Sequence, residues 1–185
     1  NATNGQANEG SAYVYHGSIT GIVTPFARRL EVNLALANFG VSVSGASDVN
    51  GDGFFDVVVG ANLWESGQTD EGAAFVFHGS PIGVAAAPAA TLQRNIVNGQ
   101  FGVSVAEAGD VNGDGYADIV VGAALSENPA GTADEGLSYV FRGSTTGIGA
   151  AAFDQLESNV AGYQFGRSVS GGGDVDGDGY SDVLI

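Results

Sequence analysis

Three copies of one acidic loop constrain the fold of this chain more than any other feature. The copies read DVNGDGFFD from Asp48, DVNGDGYAD from Asp110 and DVDGDGYSD from Asp174, and they start 62 and 64 residues apart. Each has an oxygen-bearing side chain at positions 1, 3, 5 and 9, a glycine at position 6 and an apolar run directly afterwards. A hard cation such as Ca²⁺ takes roughly six to eight oxygen ligands from a sharply turning segment of this kind. The loop therefore predicts both a metal site and a repeat.

Other markers recur at the same steps, so the repeat extends along nearly the whole chain. They are a Phe-Gly pair before each loop, a Glu-Gly pair, and a short aromatic segment that ends in glycine. The first residues of these markers are 39, 101 and 165; 9, 71 and 135; and 13, 75 and 139. Self-similarity at a fixed period is typical of a solenoid, a propeller or an array.

The composition favours short strands joined by tight turns. Of the 185 residues, 31 are glycine and only 4 are proline, and the runs FFDVVVGA and YADIVVGA are rich in valine and isoleucine. Such runs are typical of strands that are covered on both faces. In the first full repeat we predict strands over 39–47, 55–61, 73–78 and 90–96. The chain is therefore predicted to be all-β, with four strands in each repeat.

Four strands in a unit of this length favour the blade of a β-propeller. The Phe-Gly pair, the D-x-[DN]-x-D-G-x-x-D loop and the Val-Gly-Ala that ends the next strand resemble FG-GAP repeats. These repeats build the β-propeller head of integrin α subunits and occur in many bacterial extracellular proteins. The chain departs from the family's Gly-Ala-Pro at Asn62 and Ala124, which stand where the family has proline. The resemblance implies a β-propeller with three FG-GAP repeats in this chain.

The phase of the repeats predicts one propeller module over 1–185 with a split blade. Residues 39–100 and 101–164 are predicted to form blades, while 1–38 supply the outer strands and 165–185 the inner strands of the split blade. Propellers have roughly four to eight blades, so three are too few for a ring. Two chains joined head to tail would give a six-bladed homodimer and would cover the open strand edges. The alternative is that the chain is part of a longer propeller.

The resemblance also implies three Ca²⁺ ions per chain, each held by four side chains and one main-chain oxygen. Site by site, the ligands are Asp48, Asn50, Asp52, the Phe54 oxygen and Asp56; Asp110, Asn112, Asp114, the Tyr116 oxygen and Asp118; and Asp174, Asp176, Asp178, the Tyr180 oxygen and Asp182. An EF-hand is excluded, because apolar strand residues stand where that motif needs a bidentate glutamate. Zinc or copper would favour histidine or cysteine. The alternative, an ion-free Asp/Asn/Gly turn, leaves the clustered carboxylates to repel one another.

The charge and cysteine content limit the partners and the location. The net charge is −16 with five arginines and no lysine, which disfavours nucleic acid as a partner because its recognition needs clustered cations. No apolar run approaches the roughly 20 residues of a spanning helix, so membrane insertion is not expected. Calcium loops of moderate affinity fill at millimolar extracellular calcium. We therefore predict an extracellular or cell-surface protein, and Asn1-Ala2-Thr3 fits the N-glycosylation pattern.

We interpret the remaining polar and aromatic residues as parts of the fold and not of a catalytic site. His16 and His78 occupy one repeat position, where the third unit has Arg142, which favours a polar strand end over catalysis. Trp64 is predicted to pack between blades, with a sugar contact as the alternative. Arg28 and Arg29 are predicted to be solvated charges on an outer strand, where they would discourage aggregation.

These features predict a calcium-stabilised propeller that acts as a structural or adhesive protein-binding scaffold and is not an enzyme. One alternative is a carbohydrate-binding, lectin-like propeller with a glycan ligand. Another is the non-catalytic propeller of a larger secreted enzyme. One fold supports many functions, so the choice among these alternatives must come from the residues of the functional site.

Overall fold

The computed structural model describes residues 7–127 and 133–185, which it folds without any helix. The N-glycosylation pattern at 1–3 lies outside the described residues. The described strands are β1 (Ala12–Val14), β2 (Gly17–Ser18), β3 (Gly21–Ile22), β4 (Arg28–Leu30), β5 (Phe39–Gly45), β6 (Val57–Ala61), β7 (Ala73–Phe77), β8 (Ala90–Leu92), β9 (Phe101–Gly109), β10 (Asp118–Ala123), β11 (Leu137–Phe141), β12 (Asp154–Glu157), β13 (Ser170–Gly173) and β14 (Asp182–Leu184).

Two complete four-stranded antiparallel sheets lie at the centre of the chain. Their strand orders are β5-β6-β7-β8 and β9-β10-β11-β12, so each sheet is a meander in which chain neighbours pair. The register repeats as well, since Val58 pairs with Val76 in the first sheet and Val120 with Val140 in the second. These sheets confirm the predicted all-β fold of four-stranded propeller blades.

Two-stranded sheets lie on either side of the complete sheets. Strands β1 and β4 pair near the start of the chain, and β13 and β14 pair near its end. A small β2–β3 hairpin between β1 and β4 was not predicted from the sequence. Its strands have two residues each, too few for an alternating apolar pattern to reveal them.

The observed strands of the first complete sheet are shorter than predicted. Strand β5 ends at Gly45 and β6 begins only at Val57. The intervening backbone closes the acidic loop instead, because the Asp56 N–H donates to the Ser47 carbonyl at 2.6 Å. The predicted strand over 90–96 ends at Leu92, and Asn95 beyond it adopts a left-handed φ of 52°.

The apolar core lies between neighbouring sheets. One cluster joins buried side chains of the first complete sheet, such as Val58 and Val76, to Phe101 and Val105 of the second. The aromatic packing repeats one unit earlier, where Phe39 meets the rings of two other phenylalanines as Phe101 meets Tyr139 and Phe141. These ring contacts lie within one sheet, but the core clusters that contain Phe39 and Phe101 also hold residues of the preceding sheet. The aromatic residue of each of these Phe-Gly pairs therefore packs both within its own blade and against the blade before it.

The glycines of the recurring motifs allow the blades to approach closely. A Cβ added at Gly60 would lie 1.9 Å from the Gly102 carbonyl oxygen, and one at Gly122 would lie 1.8 Å from the Gly166 oxygen. Any side chain at these positions would clash with the backbone of the next blade. The glycine of each Gly-Ala pair is therefore required, because only glycine leaves room for the backbone of the next blade's Phe-Gly pair.

The prediction that Arg28 and Arg29 are solvated edge charges is wrong. The Arg28 Nε donates to the Val84 carbonyl at 3.1 Å, so it joins the outer strand β4 to the neighbouring sheet. The adjacent Arg29 is half-buried and forms ion pairs with Glu31 at 2.5 Å and with Glu9 at 3.5 Å. Glu9 is fully buried, so the ion pair with Arg29 offsets part of the cost of desolvating its carboxylate.

Candidate metal centres

Each acidic loop connects the first two strands of a sheet. The three loops join β5 to β6, β9 to β10 and β13 to β14, so the hairpin fixes both ends of each loop. Neighbouring loops also contact one another. The Ala117 N–H donates to the Asp48 carbonyl at 3.2 Å, and the Ser181 N–H donates to the Asp110 carbonyl at 2.9 Å. The loops therefore form one continuous row along the same edge of successive sheets.

The first aspartate of each loop holds the turn together. In the first loop, Asp48 accepts the Asp52 N–H at 3.0 Å through Oδ1 and the Gly53 N–H at 2.7 Å through Oδ2. The corresponding glycines of the other two loops donate to Asp110 and Asp174 at 2.8 and 2.9 Å. Gly53 adopts a φ of 88°, a conformation that favours glycine.

The residues at positions 3, 5 and 7 are linked in series. The Oδ1 atom of position 3 accepts the N–H of position 5, at 3.0, 2.9 and 3.2 Å in the three loops. The Oδ1 atom of position 5 accepts the N–H of position 7, at 2.9, 3.0 and 3.0 Å. The members of this series are Asn50, Asp52 and Phe54; Asn112, Asp114 and Tyr116; and Asp176, Asp178 and Tyr180. The predicted ligands therefore surround one turn in each loop.

The aspartate at position 9 is the buried member of the first two loops. Asp56 is 1% exposed, and its carboxylate accepts the Val49 N–H at 2.9 Å and the Gly79 N–H at 2.8 Å. Asp118 makes the same two contacts one repeat later, with Val111 at 2.9 Å and Gly143 at 2.8 Å. Each position-9 side chain thus joins its loop to the end of the third strand.

Burial raises the pKa of Asp56 and of Asp118, while the two backbone N–H donors at each carboxylate oppose this shift. The carboxylates of Asp114 and Asp110 raise the pKa of Asp118 further. Desolvation and like charge both disfavour the ionised form, and a nearby cation would offset both. The electrostatics of the loop therefore suit a positively charged ligand.

The third loop brings three carboxylates to the spacing of a metal site. One oxygen each from Asp174, Asp176 and Asp182 lie within 4.8 Å of one another. Two oxygens bound to one Ca²⁺ at about 2.3–2.6 Å are at most about 5 Å apart. This donor set therefore fits calcium. Over 7–127 and 133–185 it is the only group of three His, Cys, Asp or Glu side chains with this spacing; the other two loops carry asparagine at position 3.

Sequence reasoning missed the serines that join the blades close to the Phe-Gly pairs. Ser42 Oγ donates to the Gly102 carbonyl at 2.8 Å, and Ser104 Oγ donates to the Gly166 carbonyl at 2.7 Å. The sequence did contain a signal, because one residue separates each Phe-Gly pair from a serine, in FGVS, FGVS and FGRS. Glu107, which accepts a hydrogen bond from Ser47, has no such signal because the other units carry glycine there.

The other residues discussed in the sequence analysis pack against neighbouring rings or turns. Trp64 is half-buried and packs edge-to-face on Phe75, with 5.8 Å between the ring centroids. His78 lies against the turn at Gly147, and the Arg142 guanidinium stacks over the Phe153 ring. The contacts of His78 and Arg142 agree with their structural interpretations. The Phe75 ring belongs to the same repeat as Trp64, but Trp64 also packs against a cluster that holds Leu30 of the preceding sheet.

Comparison with known families identifies the repeat. Residues 39–77 and 101–141 match the FG-GAP repeat. The chain belongs to the FG-GAP repeat family. The matched stretches begin at the Phe-Gly pair and end with the third strand, and so include the first two acidic loops.

Integrin alpha chains are among the relatives of this FG-GAP protein. It is 33% identical to integrin alpha-PS5 of Drosophila melanogaster over 189 residues, which cover 96% of this chain and 17% of the relative. It is 34% identical to human integrin alpha-IIb over 165 residues, covering 85% of this chain and 15% of the relative. Mouse integrin alpha-7 is 33% identical over 159 residues, covering 80% and 12%. The chain thus spans less than a fifth of the length of these relatives.

The structure contains no helix, in the residues it describes, that is long and apolar enough to cross a membrane.

Proposed function

We propose that this FG-GAP chain is a calcium-binding propeller module that serves as an extracellular, adhesive protein-binding scaffold and has no catalysis of its own. The observation that carries the proposal is the group of three carboxylates at Asp174, Asp176 and Asp182. Its oxygens have the spacing and the chemistry of a calcium site. The first and second loops have the same hydrogen-bonded turn, which supports three ions per chain.

Calcium would act as a structural component of each blade. When bound, the ion supplies positive charge that lets the clustered carboxylates stay ionised side by side. The protein residues position the loop. Asp56 and Asp118 connect it to the third strand through backbone N–H groups, and Asp48 and Asp110 fix its turn. Ion binding would therefore stabilise the sheet as a whole.

The scaffold role is supported by the relatives and by the absence of unexplained acids in the loops. Integrin alpha chains are the relatives over nearly the full chain, and the sequence resembles the propeller head of that family. The loop carboxylates all take part in the repeated turns. Millimolar extracellular calcium fills loops of moderate affinity, which supports a location outside the cell.

Calcium removal tests the metal assignment. A ligand present at one hundred times its Kd stabilises a folded protein by about 2.7 kcal/mol per site, so three sites contribute several kcal/mol. We expect a chelator to lower the melting temperature by more than about 10 °C and restored calcium to reverse the loss. Native mass spectrometry should count three calcium ions per chain. A melt that the chelator leaves unchanged would contradict the assignment.

A binding assay tests the scaffold role separately from calcium binding. The calcium-loaded chain, when immobilised, should bind a cell-surface or matrix protein saturably, and Trp64→Ala should retain that binding. Binding to arrayed glycans that is abolished by Trp64→Ala would instead support the carbohydrate-binding alternative.

A further inference from the structure

We propose that Asn50 and Gly51, in the first metal loop, form a site of spontaneous deamidation, and that the two products of this reaction have opposite effects on calcium binding. The reaction itself depends only on the side chain of Asn50, the backbone of Gly51 and water. Its effect on the ion rests on the proposed calcium function and deepens it.

Deamidation begins when a backbone nitrogen attacks the side chain of the asparagine before it. The Gly51 nitrogen forms a bond to Asn50 Cγ and loses its proton, while the bond from Cγ to Nδ2 breaks and ammonia leaves with that proton. Water then opens the cyclic imide. Cleavage between the Gly51 nitrogen and Cγ gives aspartate, and cleavage between the same nitrogen and the main-chain carbonyl carbon of Asn50 gives isoaspartate. Glycine favours the attack because it has no Cβ to obstruct it.

The chain offers an internal comparison for this reaction. It contains four Asn-Gly pairs, which begin at residues 4, 50, 98 and 112, and the first of these lies outside the described residues. The pairs at 50 and 112 have the same neighbours, since both loops read DVNGDG. Their intrinsic reactivity is therefore the same, and a difference between their rates must come from the folded structure.

Most features of these two pairs match. The Oδ1 atoms of Asn50 and Asn112 accept the N–H of position 5 at 3.0 and 2.9 Å. Such a donor stabilises the negative charge that develops on the oxygen during the attack. Gly51 and Gly113 have φ angles of 73° and 75°, and each lies against a tyrosine ring of the next loop. These features favour the reaction equally at both pairs.

The attacking nitrogen distinguishes the two pairs. The Gly113 N–H donates to Asp110 Oδ1 at 2.7 Å, and the Gly177 N–H of the third loop donates to Asp174 at 2.7 Å. Among the hydrogen bonds of the described residues, the Gly51 N–H makes none. A nitrogen whose proton is held by a carboxylate must lose that bond before it attacks. Gly51 is therefore the more available nucleophile.

The surroundings of the other two pairs also disfavour the reaction. The hydrogen bond from Asn50 Nδ2 to Asp52, at 3.0 Å, lies in an exposed part of the first loop. Asn112 Nδ2 is buried, which hinders the departure of ammonia. At the pair that begins at 98, Gly99 is buried and its N–H donates to the Ile96 carbonyl at 3.0 Å. Over 7–127 and 133–185, the pair at 50 is thus the one that we expect to react first.

The third loop shows what the aspartate product does. Asp176 occupies the position of Asn50 and keeps the same turn, because its Oδ1 accepts the Asp178 N–H at 3.2 Å. It also belongs to the group of three carboxylates with the spacing of a calcium site. Conversion to aspartate would therefore give the first loop the same set of donors, together with Asp48 and Asp56. Calcium should bind more tightly there, because the charge of the ligands tunes calcium affinity.

The isoaspartate product has the opposite effect. It moves a methylene group from the side chain of residue 50 into the main chain. The side-chain oxygen is then too short to reach the Asp52 N–H, and the lengthened backbone displaces Asp52 and Gly53 from the carboxylate of Asp48 that holds the turn. The first loop should therefore lose its ion.

The test compares the rates at Asn50 and Asn112 in the full 185-residue chain, both folded and unfolded in urea. Peptide mapping by mass spectrometry measures the loss of each asparagine during ageing in neutral buffer, with calcium and with a chelator. Circular dichroism identifies the samples that stay folded. In urea we expect equal rates, because the local sequences are identical. In the folded chain Asn50 should react at least about tenfold faster, the factor that one hydrogen bond to a charged acceptor contributes.

Ion counting tests the effect on the metal loop. Native mass spectrometry should find three calcium ions on Asn50→Asp and one ion fewer on the aged fraction that carries isoaspartate at residue 50. Calcium titration should show tighter binding by Asn50→Asp than by the matched control Asn98→Asp, because Asn98 is exposed and lies outside the metal loops. Calcium should also slow the reaction at Asn50, whose Oδ1 is then held as a ligand.

Each other result has a distinct meaning. Equal rates at Asn50 and Asn112 in the folded chain, or a faster reaction at Asn112 or Asn98, overturn the inference. An isoaspartate at residue 50 that leaves all three ions bound overturns the predicted effect on calcium. A chain that binds no calcium contradicts the proposed function, while the rates still decide whether Asn50 is the modified site. If the chelated chain unfolds, the calcium-loaded sample alone provides the folded rates.

Discussion

At the scale of single residues, steric limits explain why the repeat needs glycine at fixed positions. Gly60 and Gly122 lie where the backbone of one blade meets the Phe-Gly pair of the next. Their backbone angles are ordinary, so the requirement comes from space alone. Other glycines, such as Gly149, have no atom within 4 Å of an added Cβ and carry no such constraint.

This contrast predicts the effect of adding one methyl group. Gly60→Ala would place its Cβ 1.9 Å from the Gly102 oxygen and 2.3 Å from Ser42 Oγ, so the two blades must separate. Overpacking of this kind costs about 1–3 kcal/mol, and loss of the Ser42 hydrogen bond adds to the cost. Gly149→Ala is the matched control and should change the free energy of unfolding by less than about 1 kcal/mol. Urea unfolding in saturating calcium measures both, and equal values would contradict the steric explanation.

At the scale of the element, each acidic loop is held in shape by its own backbone and by one strand outside it. The position-1 aspartate fixes the turn, and the position-9 aspartate joins the loop to the end of the third strand. The third loop already differs from the others at position 3, where Asp176 replaces the asparagine of the first two loops.

A pair of aspartate-to-asparagine variants compares position 3, which varies between the loops, with position 9, which joins each loop to the third strand. Asp176→Asn restores the composition of the other two loops, so we expect it to retain three calcium ions. Asp118→Asn turns an amide NH₂ toward the N–H donors of Val111 or Gly143, which leaves buried donors unpaired at a cost of about 1–3 kcal/mol. It should lose one ion and melt at a lower temperature. Ion counting by native mass spectrometry and a thermal melt check both variants, and ion loss in Asp176→Asn alone would refute this assignment of roles.

The loops and the four-stranded units could be predicted because both leave a pattern in the sequence. Acidic and glycine residues at fixed spacing specify the loop, and β-branched runs specify strands such as β6 and β10. The Ser47–Glu107 contact could not be predicted, because the other units carry glycine where this one has Glu107. The β2–β3 hairpin was missed although its G-S-x-x-G turn recurs at 79–83 and 143–147, where the serine again donates to the last glycine. The role of Arg28 was mispredicted because its acceptor, the Val84 carbonyl, lies 56 residues away and belongs to the backbone.

At the scale of the whole molecule, the described residues form two complete blades with a two-stranded sheet on either side of them. If two copies joined head to tail, as the repeat phase predicts, they would supply six blades, a number within the roughly four to eight of propellers. A head-to-tail contact either closes into a ring or continues as a filament, and the angle between successive blades decides which. A closed pair buries both open ends of both chains, whereas a filament always leaves two ends exposed.

Engineered cysteines distinguish a closed pair from a filament, because the chain has no cysteine of its own. In a head-to-tail pair, the repeat register would place Val14 of one copy opposite Leu184 of the other, and cross-strand neighbours lie within the distance that a disulfide spans. Mild oxidation of the double variant Val14→Cys/Leu184→Cys should therefore give a covalent dimer that contains two disulfides and no free thiol. Each single variant is the control and should stay uncrosslinked, since identical positions do not meet in a head-to-tail pair. A ladder of trimers and longer species on a denaturing gel would show that the contact does not close.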